Sequence, residues 1–279
     1  MKMKSDAGLH IGTSGWSYDC WKGDFYPEKL AKTKYLDHYA DHFTTVEMNS
    51  IFYQLPPAKV MPQFARAVPE SFVFSVKANR HITHIKRLNH GREILPPFFA
   101  RMDILGDKMG PVLLQLPPGW GFNRERLRSF VEALPADRRF VFEFHDASWF
   151  NEITYDLLAS RNAALGIFHA GERISPLVTT ADFVYIRLHN PKVKKGKKIP
   201  GLVETWMENF RDWSGSGKDI FCYFDQAGDD CAVTDAMDLR EAITSAIGAG
   251  GEKEKILRTA MSARRQRVPA QQRELRATG

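Results

Sequence analysis

The stretch RFVFEFHDASWF, Arg139 to Phe150, limits what this chain can become. Phe140, Phe142 and Phe144 form one alternating set, and Val141, Glu143 and His145 form the other. Period two marks a strand, because successive side chains point to opposite faces. One face stays apolar, while the other turns ionisable towards its C-terminal end. That is the pattern of a stave in a β/α barrel, where chemistry sits at the C-terminal ends of the strands.

The pattern recurs along the chain. Strand candidates fall at His10–Ser14, Thr44–Asn49, Ser71–Lys77, Pro111–Leu116, Ala163–Phe168, Asp182–His189 and Asp219–Asp225. Helical spacing fills most of the gaps: Pro27–Phe43, Ala58–Ala67, a long stretch broken by Pro96 and Pro97 that ends near Lys108, and Asn123–Leu134. NRHITH, Asn79 to His84, reads as a polar loop. Alternating strands and helices predict one α/β domain, a single (β/α)8 TIM-type barrel over residues 1–247. GERISPLVTTA, between the sixth and seventh strands, is too short and too broken by Pro176 for a helix, so a turn or a 3-10 piece is expected there. Residues 248–279 read as a basic, partly disordered tail.

Charge sharpens that boundary. The chain carries a formal net charge of +6, but residues 250–279 hold eight Lys/Arg against three Glu, leaving the body at about +1. The basicity therefore belongs to the tail and says little about what the barrel binds. The cysteines are three, Cys20, Cys222 and Cys231, with no CxxC and no disulfide framework. The N-terminus lacks the apolar core of a signal peptide, and no apolar run reaches the roughly 18 residues of a membrane span. A cytoplasmic location and no membrane partner are the expectations.

The inner parity gives the candidate site. Near the strand ends it holds Glu47 and Asn49, Ser75 and Lys77, Gln115, Glu143 and His145, Arg187 and His189, then Tyr223 and Asp225. Buried ions cost several kcal/mol each unless paired, so a ring of them suggests use. The competing reading is structural: salt bridges of Glu47 or Glu143 with Lys77 or Arg187. Trp16, Tyr18, Trp21, Tyr53, Trp120 and Trp149 would form an aromatic rim suited to flat ligands. The assignments are catalytic Glu47, Glu143, Lys77 and His189, and substrate-binding Trp16, Tyr18, Asn49, Tyr53, Gln115, His145, Trp149, Arg187 and Asp225. No metal and no cofactor are expected, because Lys77 and Arg187 would repel a cation and no phosphate-cradling Gly-rich motif is present.

The motifs IGTSGWSY-x-x-W-x-G-x-FYP, TTVEMNS-x-FYQLP, FVFSVKA with ITH, LLQLPP, FEF-x-x-x-SWF and YIRLH resemble the YecE-like family, domain of unknown function 72. The resemblance spans roughly residues 9–245 and implies a TIM-type barrel with no established reaction. The family's polar residues map onto Trp16, Tyr18, Glu47, Asn49, Tyr53, Lys77, Gln115, Glu143, Trp149, Arg187 and His189. Relatives usually read EFRHPSW where this chain has EFHDASW, and their asparagine after the last strand falls near Asp225 and Gln226. Less positive charge at strand five should change anion affinity.

Three functions fit. The leading one is an enzyme acting on a small anionic or polar ligand at the barrel mouth by acid/base chemistry, with glycoside or Schiff-base chemistry among its forms. The alternative is a nucleic-acid-binding or phosphodiester-processing barrel, using the lysine loop Lys192–Lys198 and the basic tail for non-specific contacts to phosphates. A second alternative is a non-catalytic ligand-binding protein.

Overall fold

The computed structural model describes residues 8–189, 202–225 and 232–245. The staves are β1 (Leu9–Ser14), β2 (Thr45–Met48), β3 (Val73–Lys77), β4 (Met109–Gln115), β5 (Phe140–Glu143), β6 (Ala164–Ala170), β8 (Phe183–His189) and β9 (Asp219–Asp225). They pair in parallel in the order β5-β4-β3-β2-β1-β9-β8-β6, and β5 also pairs with β6, so the sheet closes into a barrel. The extra strand, β7 (Arg173–Ile174), is antiparallel to β6 and lies outside the ring. The helices are α1 (Tyr35–Ala40), α2 (Ser50–Tyr53), α3 (Met61–Arg66), α4 (Gly91–Met102), α5 (Arg124–Glu132), α6 (Glu152–Ala159), α7 (Leu202–Gly215) and α8 (residues 232–245).

The two parities do separate. Val46, Met48, Phe74, Val76, Phe140, Phe142, Ile186 and Cys222 face outward into the layer between staves and helices. The barrel interior begins with an apolar floor that includes Leu113, Val141, Phe183 and Phe221. Above it comes a hydroxyl layer, in which Tyr185 bonds Ser75 at 2.6 Å and Tyr223 bonds Thr45 at 2.6 Å. The charged layer lies on top. The interior thus changes from oil to ions along one axis, which puts the ions where a TIM-type barrel opens.

Local physics moved several boundaries. The helix expected over Pro27–Phe43 shrinks to α1 plus a 3-10 turn at Lys32–Lys34, because only Tyr35, Leu36 and Tyr39 bury a face. Pro96 and Pro97 do not break α4: they sit on its exposed side, while Leu95, Phe98, Phe99 and Met102 bury the other. The expected loop at Asn79–His84 contains a π-helical turn, His81–Ile85. Between β6 and β8 there is no helix, as expected, but the chain doubles back as β7 after a turn at Gly171. Its side chains then replace missing ladder bonds. Ser175 Oγ accepts from Phe168 N at 3.0 Å, and Thr180 Oγ1 accepts from Leu165 N at 2.9 Å. The lysine loop and the tail lie outside the described residues, and no helix among the described residues is long and apolar enough to cross a membrane.

The ladders are uneven. β8 and β9 are registered from Phe183 opposite Asp219 to His189 opposite Asp225. By contrast, β5 and β6 share only Val141–Ala164 and Phe142–Leu165, and β1 and β2 only Ser14–Glu47. Gly12 shows how tightly β1 still approaches β2: a Cβ there would stand 2.4 Å from the Thr45 carbonyl oxygen. Gly12→Ala should therefore destabilise the barrel by about 1–3 kcal/mol, read as a lower urea midpoint at unchanged slope.

Candidate active site

Arg187 projects from the inner face of β8 and is fully buried. Its guanidinium is shared among three carboxylates. Nε donates to Glu47 Oε2 at 3.0 Å and Nη2 to Glu47 Oε1 at 3.1 Å, a planar fork that Lys could not make. Nη1 reaches both oxygens of Glu143 at 3.4 Å, and Nη2 reaches Asp225 Oδ2 at 3.2 Å. The expected pairings of Glu47 and Glu143 with Arg187 both form. Neither pairs with Lys77 among the described residues.

Glu47 is saturated. Beside the two Arg187 bonds, it accepts from Ser14 Oγ at 2.7 Å and from Tyr185 OH at 2.7 Å, with no exposed surface. Glu143 is held from two sides. Gln115 Nε2 donates to its Oε1 at 2.7 Å, and His145 Nε2 lies 2.8 Å from the same oxygen. Burial alone would push the Glu143 carboxyl up, but Arg187, the His145 hydrogen bond and the nearby His189 together hold it well below the ordinary carboxylate range. Asp225 behaves likewise: burial opposes ionisation, while Arg187 and the His189 bond favour it. Burial works against the Arg187 charge too, yet the surrounding carboxylates raise its pKa above the ordinary value.

Two imidazoles stand above this layer. His145 is 24% exposed, stacks on Phe168 at 4.9 Å, and has its Nε2 against Glu143; its Nδ1 has no hydrogen-bond partner among the described residues. His189 is 25% exposed and uses both nitrogens, Nδ1 towards Asp225 at 3.0 Å and Nε2 towards Arg187 Nη1 at 3.3 Å. An arginine can only donate, so His189 Nε2 is the acceptor and Nδ1 carries the hydrogen. Lys77 ends β3 half-buried, with Nζ 4.6 Å from the centre of the Phe52 ring.

The ring positions of the expected site come together; the aromatic rim does so only in part. Trp149 is not a rim residue: it is wholly buried, stacked on Phe144 at 4.6 Å, with Nε1 donating to the Trp120 carbonyl at 2.6 Å. Trp21 is likewise core. Both large rings seal helix-side seams, where their area stabilises most. Tyr53 is 73% exposed. Trp16 packs edge-on against Phe64, and the hydroxyl of half-buried Tyr18 donates to the Ser14 carbonyl. Asn49 Oδ1 is buried with no donor. Four further residues shape the site: Tyr185, Phe168, Phe52 and His84. Inner parity could have found Tyr185 and Phe168. Phe52 and His84, packed together at 5.0 Å, come from the four-residue helix α2 and the π-helical turn, each too short to leave a period to read. Among the described residues no three His, Cys, Asp or Glu side chains are grouped as metal ligands would be.

A family model described as "Protein of unknown function DUF72" matches residues 10–256. The chain belongs to this family. The DUF72 barrel is 28% identical over 221 residues to the UPF0759 protein YunF of Bacillus subtilis, covering 72% of this chain and 76% of that one. It is 31% identical over 144 residues to the UPF0759 protein YecE of Escherichia coli K12, covering 51% and 50% respectively. Its fold resembles the crystal structure of a DUF72 family protein from Thermotoga maritima, with a TM-score of 0.74 at 24% identity over 85% of this chain and 99% of that one.

Two outcomes test the electrostatics of this cluster. Arg187→Met strands three carboxylates and should cost about 3–5 kcal/mol of unfolding free energy at neutral pH, measured by denaturant titration. Glu143 has its folded pKa depressed, so its contribution is complete above the ordinary value of 4.5 and declines as pH falls below it. Glu143→Gln should therefore be less stable than wild type at neutral pH and lose less stability on acidification from pH 4.5 downward.

Proposed function

We propose that the barrel mouth is an enzyme active site performing acid/base chemistry on a small polar ligand, with His145 as the proton-transferring group. The observation that carries this reading is the His145–Glu143 pair. A carboxylate kept ionised holds one imidazole nitrogen, which fixes the ring and leaves Nδ1 without a partner among the described residues. Glu143 is then the orienting partner rather than the acid, because a carboxyl held so far below the ordinary range has no proton to give. Glu47 acts further down as an anchor for Arg187. Asp225 offers a hydrogen bond to a ligand hydroxyl, and His189, with both nitrogens engaged, holds that carboxylate in place.

Charge selects the ligand class. Glu47, Glu143 and Asp225 outnumber Arg187 and Lys77, so the mouth favours an uncharged polar ligand over an anion while the imidazoles are neutral. The partial exposure of the His145 side chain, 24%, supports this reading over a plain salt-bridge plug.

A library of sugars, hydroxy acids and small carbonyl compounds, screened by thermal shift and then for turnover, tests the proposal. His145→Gln should lower kcat by about 10²–10⁴-fold with little change in KM, and Glu143→Gln should lower it by less. Turnover at the mouth that His145→Gln leaves unchanged would sink the assignment.

A further inference from the structure

Among the described residues three lysines, Lys77, Lys108 and Lys218, are at least partly withdrawn from water, and they are treated differently. Lys218 donates to the Ala181 carbonyl at 2.7 Å. Lys108 spends its ammonium on the Ala65 and Val68 carbonyls, at 2.7 and 3.0 Å, and on Glu70 at 3.2 Å, so it is a structural clip. Lys77 has no such outlet. Among the described residues its Nζ has no carboxylate within ion-pair distance and no hydrogen-bond acceptor, only the Phe52 ring. The carboxylates near it are already engaged by Arg187.

Resting on the reading of the mouth as an active site, we propose that Lys77 is a covalent nucleophile that captures a small, uncharged hydroxy-aldehyde or hydroxy-ketone as a Schiff base. The placement suits the role. The amine ends a stave at the mouth, the Phe52 face covers it, and no carboxylate among the described residues lies within ion-pair distance of it. Burial, followed by the neighbouring Arg187 charge, lowers the ammonium pKa and so raises the share of neutral amine, the form that attacks carbonyls. The three carboxylates against one guanidinium exclude an anionic carbonyl compound once Lys77 itself is neutral.

The chemistry balances with the groups present. The Lys77 nitrogen pair forms a bond to the carbonyl carbon, and the C=O π pair moves onto oxygen, which takes a proton. The nitrogen then gives up its second proton as the C–O bond breaks. The oxygen leaves as water carrying both protons of the original amine, and a C=N bond remains. His145 moves these protons between nitrogen and oxygen through its unbound Nδ1. Nothing is oxidised or reduced.

The test is reductive trapping on the intact chain. The protein is incubated with dihydroxyacetone, or with pyruvate as the anionic counterpart, and treated with borohydride, which delivers hydride to the imine carbon and leaves a stable secondary amine. Peptide mass spectrometry then locates the adduct. The expected result is several-fold more dihydroxyacetone adduct on Lys77 than on the exposed Lys29 and Lys59, and slower labelling of Lys77 alone in His145→Gln. Labelling of Lys77 no faster than of Lys29 and Lys59 overturns the proposal, and pyruvate trapped in preference to dihydroxyacetone overturns the uncharged class. Diethyl pyrocarbonate separates the two readings. Protection of His145 by dihydroxyacetone without an adduct on Lys77 removes the covalent step and leaves the active site standing, whereas neither protection nor adduct removes the capture of dihydroxyacetone-like ligands altogether.

Discussion

One buried guanidinium sets the terms for everything above the hydroxyl layer. Withdrawing Arg187 from water costs several kcal/mol, and only excellent geometry recovers that. The planar fork on Glu47, with Glu143 and Asp225 completing the shell, is such a geometry. Its consequences run outward. Glu47 is pinned by four donors and cannot act on a ligand. Glu143 is kept ionised and therefore orients His145 instead of donating a proton. With the carboxylates engaged, Lys77 is left with only a ring to face.

Much of this is legible in the amino-acid sequence. Inner and outer parity on the strands gave the barrel, its polarity gradient and the membership of the charged ring, because period two fixes the side on which a residue lies. The same reading could not say who pairs with whom. Glu47, Lys77, Glu143 and Arg187 share a layer by parity alone, and only register and side-chain length decide that Arg187 takes all the carboxylates. Aromatic residues misled for a related reason: Trp149 and Tyr53 both stand in short helical turns just beyond strand ends, yet one is sealed in the core and the other lies open to solvent. Composition does not separate those fates. The proline pair in α4 is a third case, where burial of the opposite face overrode a local stop signal.

The departure at strand five gains meaning from the geometry. His145 stands where the resemblance implies an arginine, and an arginine there would bring a fixed charge beside Glu143. An imidazole brings a titratable ring with a spare nitrogen. The proposed proton transfer turns on His145, while the Arg187–Glu47 fork lies beneath it.

The uneven ladders add a mechanical side to the same cluster. The sparse joints, β1–β2 and β5–β6, divide the ring into two half-shells, β2 to β5 and β6 to β1. Glu47 and Glu143 stand on the two margins of the first half-shell, and Arg187 stands within the second. A single side chain therefore staples both seams from the inside, replacing backbone bonds that the short ladders do not supply. Cohesion between the halves and order in the mouth are one property in this molecule, so the chain cannot loosen one without the other.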